Sequence, residues 1–160
     1  MALPPVSRLA SRGVTLIEIL MVVAIMTLVG GTAAFIGLDS FRGFLFRSDR
    51  DVLVTLLQHV RAEAMGNICR GTNCTHGESQ GIEIMPDAFL LFQGGEYVSR
   101  DTSLDLRIDA NPLLNHTGTT EIIFTPVSGT TTGGAITFTS PDGHESVVTV
   151  DTEGQIAWTN

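Results

Sequence analysis

The chain has 160 residues and a formal net charge of −8, because 17 aspartates and glutamates outnumber 9 arginines and lysine does not occur. This length provides one domain and an accessory segment. The acidic charge is concentrated from residue 67 onward, where three arginines face twelve carboxylates, and this argues against nucleic-acid binding, which requires a basic surface.

The N-terminal third of the sequence has the pattern of a membrane segment. Two arginines and two prolines lie in the first thirteen residues, MALPPVSRLASRG, and positive residues ahead of an apolar run keep that end of a chain in the cytoplasm. No charged residue occurs from Ile19 to Leu38, and twenty helical residues span about 30 Å, the thickness of a bilayer's hydrocarbon core. We therefore expect a transmembrane helix with the polar remainder of the chain across the membrane.

Three interpretations of this segment are open: a secretory signal peptide cut near Gly31 and Ala33, an uncleaved anchor, and a leader cut before the apolar run. Glu18 distinguishes among them, because a carboxylate inside a membrane helix costs about 2.5–3.5 kcal/mol and helps neither a signal peptide nor an anchor. A cut after Gly13 would give Val14 a free amine, four residues from Glu18 on one helix face. The amine and the carboxylate of neighbouring chains could then pair in an assembly and neutralise each other.

The sequence GVTLIE at residues 13 to 18, followed by an unbroken apolar helix, resembles the prepilin signature of type IV pilins and type II secretion pseudopilins. The resemblance implies that prepilin peptidase cleaves after Gly13 and N-methylates Val14. It also implies that Glu18 directs the subunit into a filament at the inner-membrane assembly platform, beside other pilin or pseudopilin subunits. Val14 departs from the phenylalanine that is usual after the cut. The absence of proline between Ile19 and Leu57 disfavours a major pilin.

The segment after the apolar run has the pattern of an amphipathic helix that continues it. Apolar residues recur at spacings of three and four or their multiples, while arginines and Asp51 occupy other faces. These apolar positions are Phe41, Leu45, Leu53, Leu56, Val60 and Ala64. Because Gly66 and Asn67 are typical of a helix end, we predict one helix from Val14 to about Met65.

From residue 80 onward the hydrophobic period changes to two, and turn residues separate the apolar runs. The predicted strands are Gly81–Met85, Ala88–Phe92, Leu104–Ile108, Glu121–Thr125, Ala135–Thr139, Ser146–Val150 and Gln155–Thr159. The predicted fold class is α+β, with a long N-terminal helix packed on an antiparallel β-sheet domain, as in pilins. The predicted divisions are a leader at 1–13, a transmembrane and filament-core helix at 14–38, its amphipathic continuation at 39–66, and a periplasmic β-rich domain at 67–160.

The order of long helix, cysteine-containing loop and β-rich domain ending in SVVTVDTEGQIAW is similar to that of H-type minor pseudopilins and FimT-like minor pilins. Some FimT-like members bind DNA through arginines near the C-terminal glycine, but EGQIAW at residues 153 to 158 contains no basic residue. The resemblance implies a minor filament subunit that supports type II secretion. The alternatives are a minor pilin for adhesion, motility or DNA uptake, and a secreted or anchored β-rich binding domain.

Two cysteines, Cys69 and Cys74, lie close together in the part of the chain that we expect to be exported. A disulfide is the expected state of such a pair outside the cytoplasm. The alternative is a metal site that includes His76, although the spacing matches none of the usual zinc patterns.

Three aspartates, Asp101, Asp105 and Asp109, recur every four residues. On a strand they would share one face and could bind Ca²⁺ through carboxylate oxygens, and the alternative, which we favour, is a solvated acidic face. No paired-histidine, nucleophile or phosphate-loop motif occurs in the sequence. We therefore expect a non-enzymatic subunit without a cofactor.

Overall fold

A computed structural model of the chain describes residues 14–72, 74 and 76–159, and within it the backbone but not the side chains of residues 33–40. Residue contacts divide the chain into two units, one ending at Arg42 and the other beginning at Gly43. Helix α1, Leu16–Met65, has 50 residues and contributes to both units. The long N-terminal helix predicted from the sequence is confirmed, and the proposed leader lies outside the described residues.

Both ends of α1 have local causes in the sequence. At its start, the carbonyl oxygen of Thr15 accepts hydrogen bonds from the backbone N–H groups of Glu18 and Ile19, at 3.1 and 3.3 Å. At its end, Asn67 adopts a positive φ of 53°, which asparagine tolerates better than most residues. The N–H of Ile68 then reaches the carbonyl of Glu63, at 3.1 Å, in a Schellman motif that satisfies carbonyls of the last turn.

The second half of α1 contributes one face to the hydrophobic core of the unit that begins at Gly43. Its buried apolar residues are Phe46, Leu53, Val54, Leu57, Val60 and Ala64. Leu53, Val60 and Ala64 were predicted from the sequence. The prediction for Phe41 is wrong, because its side chain is 59% exposed.

In the described residues, eight antiparallel strands follow the helix. They are β1 Gln80–Ile84, β2 Ala88–Gln93, β3 Leu106–Asp109, β4 Asn115–Gly118, β5 Glu121–Phe124, β6 Gly134–Thr139, β7 Glu145–Val150 and β8 Ile156–Thr159. Strands in the order β3-β2-β1-β5 form sheet A, and strands in the order β4-β6-β7-β8 form sheet B. Alternate side chains of both sheets join the face of α1 in a single core, which includes the fully buried rings of Phe89, Phe124 and Phe138.

Two strand predictions need correction. Strand β4 was missed, because Asn115–Gly118 contains no apolar residue and forms a strand by pairing with β6. The strand predicted at Leu104 begins only at Leu106, because Thr102–Leu104 forms a 3₁₀ turn. Asp101 favours that turn, since its Oδ1 accepts hydrogen bonds from the N–H and the hydroxyl of Ser103, at 2.9 and 2.7 Å.

Candidate functional site

The first half of α1 presents apolar side chains to its surroundings on every face. Eleven large apolar residues between Leu16 and Val29 are each at least 50% exposed, and Leu16 and Leu28 are more than 70% exposed. An amphipathic helix would show one apolar stripe, whereas a helix that is apolar all round is suited to complete burial. Within the described part of the chain, no helix combines the length and hydropathy needed to span a membrane.

The two residues predicted to direct assembly lie at the start of this helix. Glu18 is an exposed side chain in the first turn, where the helix dipole favours a negative charge. Val14 is 64% exposed and precedes the helix by two residues. Val14 thus lies just outside helix α1, and that Val14 and Glu18 share a helical face after cleavage stays a prediction. Gly13 lies outside the described residues.

The loop after α1 contains the disulfide predicted from the sequence. Cys69 and Cys74 are bonded, with their Cα atoms 5.7 Å apart. Arg70, between them, forms an ion pair with the buried carboxylate of Glu63 on α1, and its backbone N–H donates to Oε1 of Gln93 on β2 at 2.7 Å. Because both sulfurs are in the disulfide, they are not available to the alternative metal site. Among the described residues, no group of three histidine, cysteine or acidic side chains could hold a metal ion.

The three regularly spaced aspartates do not lie together on one strand, so the premise of the Ca²⁺ hypothesis is wrong. Asp101 caps the 3₁₀ turn. Asp105 follows that turn and accepts hydrogen bonds from Nε of Arg100 at 2.9 and 3.0 Å. Asp109 lies on β3, with its Oδ1 3.4 Å from Nε of Arg107. Two of the three carboxylates thus form ion pairs with arginines of the same chain.

Sequence reasoning missed a buried polar pair between α1 and sheet B. Nε2 of His116 on β4 lies 3.2 Å from Oδ2 of Asp49 on α1, and the two side chains are 3% and 9% exposed. The other ring nitrogen is 3.4 Å from the carbonyl oxygen of Met85, and Oδ1 of Asp49 accepts the N–H of Asn111 at 3.1 Å. The imidazole ring also lies 4.8 Å from the ring of Phe138. This pair joins the helix to both sheets and to a loop.

A second unexpected feature is a pair of like charges on sheet A. Glu83 on β1 is the direct cross-strand partner of Glu121 on β5. Partial burial, and then the charge of Glu121, raise the pKa of Glu83 above its ordinary value, although Arg100 partly opposes this. Like charges directly opposite each other on neighbouring strands destabilise a sheet. The chain therefore maintains two facing carboxylates at a cost in stability.

We expect Glu83→Gln to stabilise the protein at pH 7 by about 0.2–1 kcal/mol, because the substitution removes this repulsion and keeps the shape of the side chain. The raised pKa means that the folded state binds the proton of Glu83 more tightly than the unfolded state does. Glu83 therefore lowers the free energy of unfolding increasingly as pH rises above 4.5, the ordinary pKa of this group. Thermal unfolding at pH 4 and pH 7 should show the gain at pH 7 only. Glu145→Gln, at an exposed position on β7, is the control, and an equal gain in both variants would contradict the prediction.

The comparisons with known proteins agree with this architecture. The family model for type II transport protein GspH matches residues 50–154, from the second half of α1 to the turn before β8. None of the curated proteins or solved structures compared with the chain matches it significantly. The matched range covers more than half of the sequence and includes both sheets except β8. The chain therefore belongs to the GspH family of type II transport proteins, the H-type minor pseudopilins.

Proposed function

We propose that the chain is a structural subunit of the pseudopilus of type II protein secretion, with no catalytic activity of its own. The observation that carries this proposal is the exposed apolar part of α1, with Glu18 as the only carboxylate among residues 14–32, in a chain whose β-rich part belongs to the GspH family. A surface so apolar requires cover from a bilayer or from other helices. A filament subunit meets both environments in turn.

The proposed route to the filament begins in the inner membrane. The N-terminus lies in the cytoplasm, and prepilin peptidase cleaves after Gly13 and methylates the amine of Val14. The uncharged sequence from Ile19 to Leu38 supports insertion as a single span. The β-rich part lies in the periplasm, an oxidising compartment that suits the disulfide between Cys69 and Cys74.

Assembly depends, in this proposal, on Glu18. Among the described residues from 14 to 32 it is the only charged side chain, and in a bilayer or a helix bundle an uncompensated charge is costly. The amine of Val14 in a neighbouring subunit supplies the opposite charge. Each subunit would thus be neutralised only beside its neighbour, which favours the assembled state.

The role in secretion is tested by comparing the culture supernatant of a strain that lacks this chain with that of its parent. We expect several folded exoproteins to disappear from the supernatant and to return when the gene is supplied on a plasmid. An unchanged supernatant would contradict a role in type II secretion. It would favour a subunit of a type IV pilus instead.

A further inference from the structure

A groove of about 580 Å³ lies on the surface of sheet A, beside edge strand β5. The lining comes from β5, from the segment before β1, from the loop after β2 and from a threonine-rich segment at residues 130–132. The lining residues are Ser79, Gly95, Glu96, Glu121, Ile123, Thr125, Thr130, Thr131 and Thr132. None of these residues is basic, and the polar ones other than the two glutamates carry hydroxyl groups.

Strand β5 offers unpaired backbone groups at this groove. Among the described strands it has one hydrogen-bonded neighbour, β1, on one side. The N–H of Ile84 donates to the carbonyl of Thr120, and in an antiparallel pair the direction of these groups alternates. The backbone groups of Glu121 and Ile123 therefore point away from β1, toward the free edge.

The threonine-rich segment runs past this edge without pairing along it. The carbonyl of Thr130 accepts the N–H of Thr125 at 2.8 Å, which closes one end of the edge. The next N–H, of Thr131, turns away to the carbonyl of Thr152 at 3.1 Å. Within the described part of the chain, no strand pairs with the outward backbone groups of Glu121 and Ile123, and unpaired edges of this kind bind extended polypeptide segments.

The charge of the groove favours a basic ligand. Oε1 of Glu121 accepts the N–H of Tyr97 at 2.7 Å, which fixes the carboxylate in position opposite Glu83. The guanidinium of Arg100 forms a close ion pair with Asp105, and it only partly offsets the burial and the like charge that raise the pKa of Glu83. A further cation beside Glu121 would act in the same direction as Arg100 and lower that pKa.

We propose that this groove binds an extended polypeptide segment of a partner protein, with an arginine or lysine side chain placed beside Glu96 and Glu121. The backbone groups of Glu121 and Ile123, together with the threonine hydroxyls, supply hydrogen bonds to the extended chain. The two carboxylates supply the preference for a basic side chain. This interaction surface is distinct from the apolar helix that the proposed assembly function uses.

The test is a titration of the isotopically labelled full chain, in detergent micelles, with the peptide acetyl-Thr-Val-Arg-Val-Thr-amide. We expect the NMR signals of the Glu121, Ile123 and Thr131 amides to shift. The same peptide with glutamate in place of arginine should bind at least about tenfold more weakly. Absence of shifts at these amides, or equal binding of the two peptides, would overturn the proposal.

A pair of matched variants adds a second criterion. Glu96→Gln combined with Glu121→Gln should weaken binding of the arginine peptide at least about tenfold, because glutamine keeps the shape but not the charge. Glu145→Gln combined with Glu153→Gln changes the net charge equally at exposed positions outside the groove and should leave binding unchanged. Equal weakening in both would show a non-specific charge effect and overturn the proposal. Val14 and Glu18 are unchanged throughout, so failure here leaves the assembly function standing.

Discussion

Asp49→Ala is expected to lower the free energy of unfolding by about 1–3 kcal/mol for each N–H donor that loses its acceptor, and Asp49 serves two such donors. His116 would keep a ring nitrogen with no acceptor in a site 3% exposed, and the N–H of Asn111 would lose its acceptor as well. Domains of this size have a total stability of about 5–15 kcal/mol, so the loss is a large fraction. Urea unfolding followed by the fluorescence of Trp158, the only tryptophan, measures it.

The matched control is Asp87→Ala, at an exposed ion pair between the turn before β2 and strand β3. Oδ2 of Asp87 lies 2.8 Å from Nη2 of Arg107, and the two side chains are 63% and 46% exposed. Exposed pairs contribute about 0–1 kcal/mol, so this variant should lose little. If Asp49→Ala costs no more than Asp87→Ala, the buried pair is not the connection between helix and sheets that the structure indicates.

Glu18→Ala is expected to leave cleavage after Gly13 largely intact and to reduce incorporation into pseudopili about a hundredfold or more. In the assembled state the variant would leave the amine of Val14 on a neighbouring subunit buried without a partner, which costs about 3–5 kcal/mol. The measurement is the ratio of filament-bound to membrane-bound subunit in sheared fractions of cells that overproduce the pseudopilus.

Two further substitutions separate charge from size at this position. Glu18→Gln keeps the shape without the charge and should fail to assemble as Glu18→Ala does. Glu18→Asp keeps the charge and should recover part of the incorporation. Normal incorporation of the alanine variant would remove the assembly role proposed for Glu18.

The helix and most strands could be predicted because their signals are local. The end of α1 follows from Gly66 and Asn67, and the paired strands β6 and β7 follow from alternating apolar residues in a continuous stretch of sequence. Strand β4 had no such signal, because of its four residues only His116 contacts the buried rings. Its position depends on the register with β6, which places His116 opposite Phe138.

The features of the candidate site also differ in whether a local sequence pattern indicates them. The disulfide between Cys69 and Cys74 was predictable because the residues are five positions apart. The contact between Asp49 and His116 joins residues 67 positions apart, and no local pattern indicates it. The pairing of Glu83 with Glu121 depends in turn on how β5 returns beside β1. Long-range pairings of this kind need the three-dimensional fold.

The measurement that tests the central claim most directly is the mass of the N-terminal tryptic peptide of the mature chain, isolated from the membrane fraction. A pseudopilin is predicted to begin at Val14, to carry one methyl group on its amine, and to give a first peptide that ends at Arg42. A first residue beyond the apolar run, near Gly31 or Ala33, or an uncleaved chain that begins at Met1, would contradict the account.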